Sequence, residues 1–381
     1  MFNTSTYYNY GVREYWELTV QISSPGQTYA LNIQGTSPSI NITWGDGTSN
    51  YVTTTGNVSR TYAAAGDYKV KVSGSFAADG NIQQATGANR VIGTSRMRGL
   101  SGITSMAGTF YGCTSLTSIP SDLFIDHPNV TSFDGTFAAS GLQNIPADLF
   151  NDHPFVTSFY GTFEQCFNIT NIPSVLFNNN ALVDSFTSTF AFCTSFTSIP
   201  ANLFVFNFSV TNFSGAFTEC SLITSIPPGL FDNNYLAYSF ISTFANCTGL
   251  TSIPVGLFNN NTSATIFYAT FAGCTNLASI PVGLFNNNIN ATDFQVTFTS
   301  CNKLTLNAFI FSTTGNTNRF LNQSVDFTNC FSIGTFTGVQ GTAPNLWTYN
   351  FGTGTSIKTD CWQGHSTASL TNYASIPLAW L

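Results

Sequence analysis

Cys166, Cys193, Cys220, Cys247, Cys274 and Cys301 follow one another at intervals of 27 residues, and each belongs to the same repeated phrase. The clearest copy, Thr270 to Asn288, reads T-F-x-x-C-T-x-L-x-S-I-P-x-x-L-F-x-N-N. A fixed period constrains the fold more than any single residue does. One copy cannot bury its own apolar face, so the copies must stack and make that face continuous. Phe-x-x-Cys recurs at Phe110/Cys113, Phe163/Cys166, Phe190/Cys193, Phe217/Cys220, Phe244/Cys247, Phe271/Cys274, Phe298/Cys301 and Phe327/Cys330; the copy at Phe137 has Ser140 instead. Ile-Pro and Leu-Phe recur in step, as does a third phenylalanine column from Phe133 and Phe159 to Phe294. These columns predict ladders of like residues up the interior. Leu-Thr-Ser-Ile reads as the strand of each copy, stopped by proline, with the asparagine run as its outer turn.

The composition fits such a stack. Charged residues make up 7% of the chain, against roughly 25% in an ordinary soluble domain. Thr, Ser, Asn and Gly must therefore supply the polar surface. The net charge is −7, and the ten basic residues concentrate up to Arg98. That excludes nucleic acid as a partner, because phosphate binding needs clustered cations. No apolar run is long enough to span a membrane. Met1 to Ser23 lacks the basic and apolar regions of a secretory signal. A charge-poor surface without an export address implies either a missing leader or a protein that leaves the cell in a virus particle.

The first part reads differently. Glu17–Ile22, Tyr29–Ile33, Ser39–Trp44 and Tyr68–Ser73 alternate in strand fashion, with a tight turn at Gly45-Asp46-Gly47. Short strands at this spacing predict a small β-sandwich. Ile42 to Thr48 followed by Arg60 to Val72 resembles the PKD family of immunoglobulin-like domains. The family's W-x-F-G-D-G is shortened here to Trp44-Gly-Asp-Gly47, and Arg60 takes the usual histidine position. The resemblance covers about residues 15 to 75 and implies a spacer or adhesion module. Asp46 is expected to cap its own turn.

The phrase F-x-x-C-T-x-L-x-S-I-P resembles BspA-like leucine-rich repeats and the related Phe/Cys repeats of bacterial and phage surface proteins. That resemblance covers about residues 100 to 381. It weakens after Cys301, where the cysteine spacing lengthens to 29 at Cys330 and 31 at Cys361. The expected architecture is mainly β. Residues 1–78 form an Ig-like (PKD-like) β-sandwich with an N-terminal arm, and 79–105 a linker and N-terminal cap. Residues 106–335 form a leucine-rich-repeat-type solenoid with about 27 residues per repeat, and 336–381 a C-terminal cap holding Trp347, Trp362 and Trp380.

The expected interior ladder comprises Cys113, Cys166, Cys193, Cys220, Cys247, Cys274 and Cys301 with Phe163, Phe190, Phe217, Phe244, Phe271 and Phe298. Stacked cysteines point in parallel, not toward one another, so they read as free thiols acting as small hydrophobes. A straight ladder also offers no tetrahedron for zinc. Asp126-His127-Pro and Asp152-His153-Pro recur in adjacent copies, and only these two histidines and two aspartates suggest a metal. Loop residues inherited by duplication are the plainer reading, so no metal and no cofactor is assigned. No nucleophile–base pair, phosphate loop or H-E-x-x-H occurs, and the chain does not read as an enzyme.

The expected function is a non-enzymatic fibre or decoration protein on a bacteriophage virion. Its partners would be other virion or surface proteins and host-surface glycan or protein, and the resemblance implies a trimer. A secreted bacterial adhesin at the cell surface, or a purely architectural part of a filament or capsid, are the alternatives.

Overall fold

The computed structural model describes residues 14–314, 316–333 and 341–380. Among them the protein is mainly β, with ten strands, four single-turn 3-10 segments and no α-helix. The expected N-terminal arm and the 335/336 boundary lie outside the described residues.

Eight strands precede the repeats: β1 Trp16–Ile22, β2 Thr28–Thr36, β3 Ser39–Thr43, β4 Ser49–Val52, β5 Gly56–Thr61, β6 Gly66–Gln84, β7 Val91–Thr94 and β8 Leu100–Ile103. Alternation decides what they bury, so Trp16, Leu18, Val20 and Ile22 of β1 all face the core. The first half of β6 lies between β1 and β3, antiparallel to both, with Trp16 opposite Val72 and Ile40 opposite Gly74. Its second half pairs with β2, where Ile33 faces Ile82. One long strand thereby serves two sets of partners. Gly74 makes this possible: at φ +137° a Cβ would sit 2.0 Å from the Ser39 carbonyl oxygen.

Tyr29 from β2 meets Trp44 edge-on at 6.3 Å, and the Tyr62 hydroxyl donates to the Trp44 carbonyl at 3.0 Å. In the turn after β3, Asp46 Oδ1 accepts from the Thr48 amide at 3.0 Å, and Asp46 Oδ2 pairs with Arg60 Nε at 2.6 Å. The stretch expected as a linker, 79–105, instead holds the end of β6, β7 against β1 and β8 parallel to β6. Apolar Ile82, Val91, Met97, Leu100 and Ile103 punctuate this segment and draw it into the core.

Beyond Ser105 the repeats form coils joined by single parallel bridges. One column runs Ser132, Ser158, Ser185, Asn212, Ser239, Ile266, Asp293; a second runs Ser225, Ser252, Ser279, Thr305. The strand expected at Leu-Thr-Ser-Ile is thus at most one bridge per coil, found from Ser225 to Thr305, because the chain turns on both sides of it. The Phe-x-x-Cys segment explains how so many turns stay satisfied. Thr270, Ala272 and Cys274 donate their amides within their own coil, to Phe267, Ala269 and Phe271. The amides between them, on Ala269, Phe271 and Gly273, donate to Gln295, Thr297 and Thr299 of the next coil. This alternation requires left-handed backbone at two places per coil, such as Ala269 (φ 54°) and Gly273 (φ 71°).

Three phenylalanine columns fill the interior. Phe163 stacks on Phe190 at 5.5 Å, Phe159 on Phe186 at 5.8 Å and Phe150 on Phe177 at 6.0 Å, with planes within 6° of parallel. Between columns the rings tilt, as for Phe150 and Phe159 at 4.7 Å and 52°. Each such pair adds about 0.5–1.5 kcal/mol beyond its buried area.

The register shifts after Cys301. The Phe298 amide bonds to Cys330 where Phe271 bonds to Thr297, so Cys330 continues the threonine column and not the cysteine column. Phe331 stacks on Phe298 at 5.6 Å, and Phe327 on Phe294 at 5.6 Å. Phe327/Cys330 is therefore a chance match to the phrase, four residues out of step. The expected C-terminal cap contains a further coil. There β10 (Ser356–Ile357) runs parallel to β9 (Val325–Asp326), Cys361 bonds to the Phe331 amide, and Trp362 stacks on Phe331 at 4.8 Å.

Candidate functional site

Three columns of side-chain donors tie each coil to the one before it. Thr189 Oγ1 donates to the Phe159 carbonyl at 2.9 Å, and Cys193 Sγ to the Phe163 carbonyl at 3.0 Å. Asn207 Nδ2 donates to Phe177 at 3.0 Å and to Asn180 at 2.9 Å. The same bonds recur at Cys220, Cys247, Cys274 and Cys301, and at Asn234, Asn261 and Asn288. The thiols are thus more than small hydrophobes: they satisfy carbonyls that the turns leave over. All nine cysteines are free and buried. Burial pushes their acidity down, with Cys166 raised to about 11 and Cys301 to about 12, so they stay protonated.

His127 and His153 are the first members of the asparagine column. His127 Nε2 donates to Met97 at 3.0 Å and His153 Nε2 to Phe124 at 3.2 Å, the carbonyl partners fixing the proton on Nε2. Burial lowers the His127 pKa to about 4, although its bond to Met97 and the nearby Asp126 oppose the shift. Asp126 turns outward instead, accepting from Arg96 Nε at 2.7 Å and lying 3.6 Å from Arg98. Asp152 is exposed. The histidines and aspartates that sequence pairs are therefore separated by the wall of the coil. Among the described residues no group of three or more metal-ligating side chains comes together.

The outward surface is where ligands can be met. Just after the buried His/Asn column, Phe155, Leu182, Phe208, Tyr235 with Leu236, and Ile289 are exposed, the coil between the last two carrying Thr262 and Ser263 instead. At the end of this ridge the chain departs from its period. Phe285 reaches Asn288 in three steps, whereas Phe311, stacked on Phe285 at 5.6 Å, reaches its ladder residue Arg319 in eight. Beside the extra residues lies a cleft of about 490 Å³ whose lining includes Ile289, Asn290, Thr314, Asn318, Arg319 and Gln323.

Arg319 takes the ladder position with a longer side chain. Its Nη1 donates to Ile289 at 3.1 Å, its Nη2 to Asn288, and it lies 4.6 Å over the Phe320 ring. It is 8% exposed, and its Nε has no partner. Gln323 Nε2 donates to Ile289 at 2.8 Å, while its Oε1 is buried and unpaired. Among the described residues no carboxylate pairs with Arg319. Burial lowers its pKa to about 10, which leaves it a cation at neutral pH. Sequence reasoning missed these residues. The available signal was the lengthened spacing before Cys330, which reads as decay of the repeat and not as an insertion.

No family model and no curated protein sequence matches the chain. Among solved structures it is similar to a chain in "Structure of the Toll - Spatzle complex, a molecular hub in Drosophila development and innate immunity". The likeness has 15% identity and a TM-score of 0.29, over 56% of this chain and 29% of that one. The chain thus spans less than a third of that structure's length, and a likeness of this size carries no structural argument.

Proposed function

We propose that the chain is a non-enzymatic surface-recognition protein of a virion, a phage fibre or decoration protein. Its coils form a leucine-rich-repeat-type solenoid, and the first domain is a PKD-like spacer. The observation that carries the reading is the division of chemistry between inside and outside. The buried thiols, histidines and asparagine amides are turned inward, most of them onto coil-to-coil bonds, while the outer edge offers amides, hydroxyls and exposed apolar side chains. Such a surface suits host glycan or protein, where apolar rings pack on sugar faces and amides meet hydroxyls. The turn at Asp46, with its bonds to Thr48 and Arg60, supports the spacer reading. A secreted bacterial adhesin built from the same modules is the second reading, since the same surface would serve it.

Antibody labelling of particles purified from the source tests the proposal. Label on capsid or tail is the expected result. Label confined to the cell envelope or to free protein contradicts the virion reading and favours the adhesin.

A further inference from the structure

Unpaired buried charge is costly, and proteins keep it where a partner completes it. Arg319 is such a charge. Its guanidinium has five N–H donors, two carbonyls accept from it, its Nε is buried without a partner, and the residue lines an open cleft. Gln323 contributes a second unpaired buried polar atom to the same wall. The rest of the lining is neutral: Asn290, Thr314 and Asn318 supply amides and a hydroxyl, and Ile289 an apolar surface. This combination defines a ligand class. One fixed cation calls for one anion, a planar guanidinium favours a carboxylate, and the neutral rim fits several hydroxyls. The cleft also lies where an inserted segment interrupts the repeat, and such insertions commonly build the binding face of stacked repeats.

We infer that the cleft of the lengthened coil binds a carboxylate-bearing sugar, with the carboxylate on Arg319 and the ring hydroxyls on Asn290, Thr314 and Asn318. The inference rests on the surface-recognition reading and names the ligand for it. Ile289 carries the apolar face of the ring, and a longer saccharide would cross the polar Thr262 and Ser263 before reaching the exposed Tyr235 and Phe208.

The test is calorimetric titration of the full chain with oligogalacturonate, oligoglucuronate and N-acetylneuraminate, each beside a neutral sugar of the same size. At least one acidic sugar is expected to bind about ten-fold more tightly than its neutral counterpart, with the difference shrinking in high salt. Arg319→Gln is expected to remove that preference. Because Arg319 also holds the ladder, the exposed pair Asn290→Ala and Asn318→Ala serves as a second variant, expected to weaken binding several-fold with melting lowered only slightly by the loss of their exposed bonds to Thr262 and Asn350. Equal binding of acidic and neutral sugars overturns the inference, as does no binding at millimolar concentration or binding untouched by the rim variant. Adsorption of the same samples to host cells keeps the two readings apart. Adsorption that persists unchanged in the rim variant overturns this site alone, whereas wild-type protein that adsorbs to no host cell overturns surface recognition itself.

Discussion

Cys247 lies among phenylalanines, yet its sulfur donates to the Phe217 carbonyl at 3.1 Å, and burial raises its pKa. A thiol so placed is neither a nucleophile nor a redox partner. All nine cysteines should resist a thiol-labelling reagent in the native protein and react together once denaturant unfolds it; rapid native labelling would contradict the burial.

His127 gives the fold a pH dependence whose sign follows from its environment. The folded side chain is held neutral down to about 4, from an ordinary value of 6.5. Between these values the unfolded chain binds a proton that the folded chain refuses. Stability is therefore full above pH 6.5 and falls as pH drops toward 4, by on the order of 3 kcal/mol from this residue. His127→Asn should flatten that slope, because asparagine makes the same bond without titrating at Asn180. Denaturant melts at pH 7 and pH 5 read the effect directly.

Val296 is strained in another way, since a β-branched residue stands at φ 49° where Gly215 stands three coils earlier in the cycle of repeats. Val296→Gly should raise stability by about 0.5–1 kcal/mol, the relieved strain outweighing glycine's extra chain entropy. A lower melting temperature would count against the assigned backbone.

At the scale of the element, the coil is a device for pairing backbone groups without strands. Half of the amides around each Phe-x-x-Cys serve their own turn and half the next coil, while Thr, Cys and Asn side chains reach back to the preceding one. Around Phe-x-x-Cys the main-chain bonds run forward along the stack and the buried side-chain bonds run back, while amides such as Thr211 and Thr265 also donate to the preceding coil. Asn234 donates to Phe204 at 3.3 Å and Asn207 at 2.8 Å. Asn234→Leu should cost about 1–3 kcal/mol, because buried carbonyls lose their partner. Thr262→Ala, on an exposed turn with no side-chain bond, should stay within about 0.5 kcal/mol. Equal effects of the two would mean that the column carries no energy.

For the whole molecule, repetition made the phenylalanine columns legible in the sequence, because like residues at one period must stack. The alternating strands before Ser75 were legible for the same reason, through a period of two. Other features had no such sign. The left-handed positions are marked by glycine in only some copies, so the turn before Leu-Thr-Ser-Ile stayed hidden while proline announced the one after it. Cys330 matched the phrase while standing in the threonine column, since one short pattern cannot report a register that neighbouring coils decide. His127 and Asp126 are adjacent in sequence but face opposite sides of the coil wall, which spacing alone cannot tell. Arg319 was hidden because a single residue in a lengthened copy has no repeat to announce it.

The central claim is that 27 residues make one coil and that coils hold each other in register. Removing residues 221–247 joins Cys220 to Thr248 and deletes one whole period; removing 221–244 deletes a length out of step. Thermal unfolding with small-angle scattering on both proteins is the most direct test. The in-step protein should melt in one cooperative transition, with its longest dimension reduced by about 5 Å, and the out-of-step protein should lose cooperativity. If the two behave alike, the coils are not in register and the account is wrong.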